Sequence, residues 1–190
     1  MIARLKLKKA HKLADLQVAK WMSSRRQKAE IERERELLRA KLAEATSVRD
    51  EQLLDRLIQQ GLCPTSVEAL RFAPIAEVVW ASGYVTDAER ELALEVIDSG
   101  KMLSTEEAVR VFREWLKSAP SEDLWTMWEQ CSSQWLHAND DIDRQRFGQF
   151  LHHLATRIAA ASGEGEKICS SERAVLHRIS RVYQLDPGLS

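Results

Sequence analysis

Apolar residues recur along this chain at the three- and four-residue spacing of amphipathic helices, and no segment shows the strict alternation typical of a strand. Residues 1–58 contain no Pro or Gly and are rich in strong helix formers. They predict one long helix or two in line, with weak points at Ser23-Ser24 and Thr46-Ser47. Four apolar residues follow an imperfect heptad spacing that favours a coiled coil: Ile31, Leu38, Leu42 and Ala45.

A second region, residues 62–190, begins where Gly61 and Pro64 interrupt the helical pattern. Its helices are separated by recognisable start and stop signals. Thr86 with Glu89, and Ser104 with Glu107, fit the capping-box spacing and predict helices from about 87 and 105. Further helices are expected near 122–138, from Asn139 to Ser162, and from about Ser171 to Gln184. The predicted fold is all-α, a compact body of about six helices with a long N-terminal helical arm.

Charge divides unevenly along the 190 residues. The chain is 44% hydrophobic and 30% charged with a net charge of -1, values typical of a globular protein. Residues 1–47 hold thirteen basic and six acidic residues, a net charge of +7, so the remainder carries -8. Nine of the basic residues precede Ala29: Arg4, Lys6, Lys8, Lys9, Lys12, Lys20, Arg25, Arg26 and Lys28.

This basic arm, with its interleaved apolar residues, is suited to an anionic partner. An acidic protein, a membrane surface and nucleic-acid phosphates all fit it, and charge alone does not separate them. Association with a second copy of the arm is a further option. The structural alternative is a solvated helix that aids solubility or packs on another subunit.

A short motif occurs twice in the second region. Trp80-Ala81-Ser82-Gly83 is followed by Glu89, and Ala160-Ala161-Ser162-Gly163 is followed by Glu172. In each copy an apolar helix runs into Ser-Gly and a new helix begins shortly before the Glu. Glycine can take the left-handed conformation that closes a helix end. The repeat therefore predicts two related helix-loop-helix halves.

The first copy reads Leu70-x-Phe72-x-Pro74-Ile75-Ala76-x-Val78-Val79-Trp80-Ala81-Ser82-Gly83-x-Val85-x-x-x-Glu89-Arg90. This pattern and the second copy, through Ile168 and Glu172-Arg173, resemble the tellurite-resistance TerB-like family over about Leu62 to Leu185. The resemblance implies a compact helical domain of two related halves. Such domains occur in bacterial stress-response proteins and beside the J-domain of membrane-anchored co-chaperones. Residues 1–58 lie outside the resemblance.

The family's acidic cluster is associated with metal binding, but this chain has Ser82 and Ser162 where members usually have Asp. Each exchange removes a carboxylate of the kind that calcium and magnesium favour. The acids that remain as candidate ligands are Asp87, Glu89, Glu164, Glu166 and Glu172. For Glu89 and Glu172 the preferred interpretation is capping at a helix start. A divalent cation is thus an alternative, and no cofactor is expected.

Cysteine and histidine spacing offers no catalytic or metal signature. Cys63, Cys131 and Cys169 are far apart, and none belongs to a CxxC pair, so neither a disulfide framework nor a zinc site is expected. His152 and His153 are adjacent, which places them about 100° apart on a helix, with one expected to be partly buried and the other solvated. No phosphate-binding loop, dinucleotide fingerprint or nucleophile elbow is present. We expect no enzymatic activity and no small-molecule substrate.

Tryptophan is frequent, and four of the six lie between Trp115 and Trp135. A stripe at helical spacing is usually core, but indole is also favoured at protein interfaces. Four were selected as candidate docking residues: Trp21, Trp125, Trp128 and Trp135. The sequence thus predicts a non-enzymatic, protein-binding scaffold held in an assembly by its basic helix. No apolar run is long enough to span a bilayer, so a cytoplasmic location, free or peripheral to a membrane or large complex, is expected.

Overall fold

A computed structural model describes residues 2–100, 102–138, 141–161 and 168–185. Within those ranges the chain forms helices and no strand, which confirms the predicted all-α class. The α-helices are α1 (Ile2–Thr46), α2 (Glu51–Gln59), α3 (Ala73–Trp80), α4 (Asp87–Gly100), α5 (Glu106–Lys117), α6 (Asp123–Ala138), α7 (Asp141–Ala160) and α8 (Ser170–Tyr183), with a 3₁₀ helix at Val67–Phe72.

The chain divides into two compact units, residues 1–40 and 41–190. The described part of the first unit, 2–40, is entirely helical and belongs to α1. The second unit holds the end of α1 and all the other helices. Residues 41–58, predicted as part of the N-terminal arm, therefore lie in the second unit. No helix of the described ranges combines the length and apolarity needed to cross a membrane.

The break after α1 falls at one of the two weak points seen in the sequence. Ser47 has a φ of 57°, a left-handed conformation that ends the helix. Asp50 then caps α2, because its carboxylate accepts hydrogen bonds from the backbone N–H groups of Gln52 and Leu53. Leu53, Leu54 and Leu57 of α2 are buried. The helix is thus held to the body by its apolar face.

At the centre of the second unit lies α3, whose residues are apolar except for Glu77. Ile75, Ala76, Val78 and Val79 are fully buried. This helix contacts α4, α5, α6, α7 and α8, as well as the 3₁₀ helix. A short helix that is apolar on all sides is stable only when neighbours cover every face, which is the position that α3 occupies.

Helices α7 and α8 approach each other closely at Gly148 and Tyr183. A Cβ atom placed on Gly148 would lie 2.4 Å from the Cβ of Tyr183, far inside normal contact distance. Tyr183 is buried, and its ring lies 5.9 Å from the ring of Phe147 and 6.1 Å from that of Trp128. Glycine inside α7 thus allows α8 to pack closely enough to close the core.

Three helix caps differ from expectation. The cap of α5 is Thr105, whose hydroxyl accepts from the Ala108 N–H, whereas Ser104 is bonded to Glu68. The helix predicted from about Ser171 begins at Ser170 as α8, and its cap is the thiol of Cys169. Ser66, a candidate cap from its position after Pro64, does precede the 3₁₀ helix, but its hydroxyl accepts from the Cys63 N–H and caps nothing.

Candidate functional site

The two glutamates of the repeated motif occupy equivalent structural positions. Glu89 accepts a hydrogen bond from the Thr86 backbone N–H at 2.8 Å, and Thr86 Oγ1 accepts from the Glu89 N–H at 3.2 Å. Glu172 accepts from the Cys169 N–H at 2.6 Å, and Cys169 Sγ accepts from the Glu172 N–H at 3.4 Å. These are two capping boxes, one at the start of α4 and one at the start of α8. The capping interpretation of both glutamates is confirmed.

The first Ser-Gly turn also behaves as predicted. After α3 ends, Gly83 has a φ of 90° and its N–H donates to the Trp80 carbonyl at 2.9 Å. The Trp80 indole N–H reaches the backbone carbonyl of Trp115 at 2.8 Å, so this helix end is fixed to the end of α5. The second turn, Ser162-Gly163, lies outside the described residues.

The candidate metal ligands do not come together where they can be described. Asp87 is exposed and pairs with Arg90 at 3.3 Å, and Glu89 and Glu172 are engaged in their capping boxes. Glu164 and Glu166 lie outside the described ranges. Among the side chains that the structure does describe, no three His, Cys, Asp or Glu residues form a group suited to a metal ion. All three cysteines are free thiols.

Trp125 and Trp128 belong to the core. Trp128 is fully buried and Trp125 is 3% exposed, with their ring centroids 4.6 Å apart. The Arg178 guanidinium covers Trp125 at 4.2 Å from the ring centroid. Neither indole is accessible, which corrects their selection as docking residues. The side chain of Trp135 lies outside the described part of the structure.

Trp21 contrasts with the core tryptophans, since it is 57% exposed on α1, with the Arg25 guanidinium 4.7 Å from its ring centroid. Of the nine predicted contacts with an anionic partner, the four whose side chains are described are all exposed: Lys20, Arg25, Arg26 and Lys28. The other five predicted contacts with an anionic partner lie outside the described side chains: Arg4, Lys6, Lys8, Lys9 and Lys12.

A polar cavity of about 690 Å³ in the second unit was not anticipated from the sequence. Its wall includes Glu68 and Arg71 from the 3₁₀ helix, Phe147 from α7, and Tyr183 from α8. Glu68 accepts hydrogen bonds from the Ser104 N–H at 2.8 Å and from its hydroxyl at 2.6 Å. The Arg71 guanidinium lies 4.6 Å from the Phe147 ring centroid.

Burial raises the pKa of Tyr183 to about 12, although the nearby Ser132 hydroxyl and the positive charge of Arg71 oppose the rise. The phenol therefore keeps its proton at neutral pH and can donate a hydrogen bond. Glu68 is already bonded to Ser104, so the cavity offers hydroxyls, the Arg71 guanidinium and the carboxylate of Asp143, which also lines it, to a polar ligand. These residues are far apart in the sequence, so no local motif marks them.

Comparisons with protein-family models, with curated proteins and with solved structures found no significant match to this chain. The resemblance to the TerB-like family stays a prediction.

Proposed function

We propose that this chain is a non-enzymatic protein-binding module that joins an assembly through α1. The observation that carries the proposal is the exposure of large apolar side chains on the first unit. Trp21, Met22, Ile31 and Leu37 are each more than half exposed, at 57%, 52%, 57% and 58%. Helices in proteins are stabilised mainly by packing, and exposed apolar side chains in such number favour a partner that covers them.

The helical register supports a helix as that partner. Around α1, Met22 and Leu37 lie about 100° and about 160° from Trp21 at 100° per residue. By contrast, Trp21, Lys28 and Arg35 lie on the same side as Ile31 and Leu38. Their spacing alternates between three and four residues once Ser24 is included, which is the a and d pattern of a coiled coil. A mixed apolar and basic seam of this kind suits an acidic, apolar helix from another protein.

The same register disfavours a parallel pair of identical arms. In an in-register homodimer, equivalent a positions face each other, so Lys28 would meet Lys28 and Arg35 would meet Arg35. Like charges at such positions are destabilising. We therefore place the arm against a different protein, and the second unit becomes the part that is displayed in the assembly.

The test uses the full chain with a photo-crosslinking amino acid at position 31 or, as a control, at position 33. Crosslinking in native extract should give one defined protein adduct from position 31 that is lost in the Trp21→Ala/Leu38→Ala variant. Sedimentation of the purified chain should show a monomer. Adducts only with lipid or nucleic acid, or a stable dimer of the chain alone, would contradict a protein partner at this seam.

A further inference from the structure

The second unit, residues 41–190, has a surface groove that the proposed function does not use. A groove of about 460 Å³ lies between α7 and α8. Arg173, His177 and Arg181 line it from α8, His152 lines it from α7, and Leu185 closes one end. No carboxylate contributes to its described lining. We propose that this groove binds a short, extended acidic peptide segment of a protein partner.

The spacing of the basic groups favours an extended peptide. Arg173, His177 and Arg181 are four residues apart on α8, so each step along the helix axis is about 6.0 Å. In an extended chain, every second side chain lies on the same side at intervals of about 6.6 Å. Three acidic side chains at alternate positions of a bound peptide therefore match three basic groups in the groove.

The basic groups differ in how freely they can engage a ligand. Arg173 makes no ion pair within the described part of the chain, whereas Arg181 pairs with Glu129 of α6 at 3.1 Å. Glu129 also lies 3.9 Å from Arg178, so its charge is shared between two arginines. Glu172, next to Arg173, is buried and bonded to the Cys169 N–H. The strongest anchor is consequently Arg173, near the N-terminal end of α8, where the helix dipole also favours an anion.

The net charge of residues 41–190 favours a short peptide over a nucleic acid as the ligand of the groove. Residues 41–190 carry a net charge of -8, which repels a polyanion at long range in proportion to its charge. Nucleic-acid strands also require neutralisation along many phosphates, and the groove supplies only a few basic groups. Leu185 and the imidazole ring of His152 add contact area for the methylene groups of the acidic side chains.

The experiment is an NMR titration of the ¹⁵N-labelled full chain with an acetylated heptapeptide that has glutamate at every second position and serine between. We expect saturable amide shifts along 173–185 and at His152. A matched heptapeptide with its glutamates contiguous should bind about five-fold more weakly, since only one or two of its acids can pair. An eight-nucleotide DNA strand should leave these amides unshifted.

Two substitutions with the same charge change provide the control. Arg173→Glu should weaken binding of the alternating peptide at least about ten-fold, because it removes one ion pair and adds a repulsion. Arg157→Glu should leave it within about two-fold, since Arg157 lies five residues after His152 and faces about 140° away from it on α7. Shifts confined to residues 2–40, equal effects of the two variants, or tighter binding of DNA at the groove would each overturn the proposal. None of these results depends on whether α1 binds a partner.

Discussion

Thr86 and Glu89 hold each other in place at the start of α4. The carboxylate of Glu89 accepts from both the Thr86 backbone N–H, at 2.8 Å, and the Thr86 hydroxyl, at 2.7 Å. Glu89 is fully buried and both bonds go to Oε2, so this pairing compensates only in part for the burial of the carboxylate. The other oxygen, Oε1, has no hydrogen-bond partner among the described residues. Its equivalent at α8 is Glu172, which accepts from the Cys169 N–H and has no hydroxyl partner there.

Removing the Glu89 side chain should therefore destabilise the fold more than removing the Glu172 side chain. Glu89→Ala leaves two donors on Thr86 without their acceptor, and we expect the free energy of unfolding to fall by about 2 to 3 kcal/mol. Glu172→Ala leaves only one donor, so we expect a loss of about 1 kcal/mol. Urea unfolding of the full chain measures both. A loss from Glu172→Ala as large as that from Glu89→Ala would show that the hydroxyl adds nothing.

Serine at position 169 should cap α8 at least as well as the native cysteine. A thiol is a weak acceptor, and its sulfur lies 3.4 Å from the Glu172 nitrogen. Serine is a preferred N-cap residue, so Cys169→Ser should preserve or raise the free energy of unfolding by a few tenths of a kcal/mol. Cys169→Ala should lower it by about 0.5 to 1 kcal/mol. If Cys169→Ala leaves the free energy of unfolding at its wild-type value, the sulfur is not acting as a cap.

Gly148 should tolerate no side chain. The Cβ of an alanine there would lie 2.4 Å from Tyr183 Cβ and 2.5 Å from its Cγ, atoms too close to the backbone to move aside. Alanine gains about 1 kcal/mol of helix propensity over glycine, but the forced separation of α7 from α8 should outweigh this. We expect Gly148→Ala to lower the free energy of unfolding by about 2 kcal/mol net. The control is Gln149→Ala, at an exposed neighbouring position, which should change stability little.

Features governed by local chemistry were predictable from the sequence. The Thr86–Glu89 box, the Gly83 turn and the break at Ser47 each depend on a few consecutive residues, and the structure has all three. The Cys169 cap was missed because a thiol is not a usual cap and two serines follow it. The Gly148–Tyr183 contact was missed because it depends on how α7 packs against α8.

The groove between α7 and α8 could be predicted only in part from the sequence. The four-residue spacing of Arg173, His177 and Arg181 was visible in the sequence and could have marked a basic stripe. What the spacing does not give is the opposite wall, because His152 joins the stripe only when the two helices are paired. The tryptophan stripe was ambiguous for the same reason, since helical spacing alone does not distinguish a core face from a docking face.

His152 makes stability depend on pH. Burial lowers its pKa below the ordinary value of 6.5, and the positive charge of His153 adds to the effect. Above pH 6.5 the side chain is neutral in both states. As the pH falls through 6.5 the unfolded chain takes up the proton first, so the free energy of unfolding decreases until the lower pKa of the folded state is reached.

Comparing urea unfolding at pH 7.5 and pH 5.5 tests this dependence. The decrease on acidification should be smaller in His152→Gln than in the wild type. His153→Gln should retain most of it, because that side chain is exposed and burial of His152 remains. An unchanged decrease in His152→Gln would assign the pH dependence to other groups.

The thiols should differ strongly in reactivity towards iodoacetamide. Burial raises the pKa of Cys131 to about 12, and the positive charge of Arg56 opposes the rise. Partial burial also acts to raise the pKa of Cys63, but hydrogen bonds from Thr65 and Ser66 outweigh it and the pKa is lowered. Because the thiolate is the nucleophile, Cys131 should be alkylated at least about a hundred-fold more slowly than Cys63 in the folded chain at pH 7.5.

Mass spectrometry of peptides from a time course gives both rates in one sample. In urea the two rates should converge, since the pKa difference arises from the fold. Ser66→Ala should slow alkylation of Cys63 and leave Cys131 unchanged, because Ser66 bonds to the Cys63 sulfur at 3.4 Å and Cys131 lies within the core on α6. Rapid alkylation of Cys131 without urea would mean that α6 opens on the timescale of the reaction, and its buried face, including Trp128, would then be accessible after all.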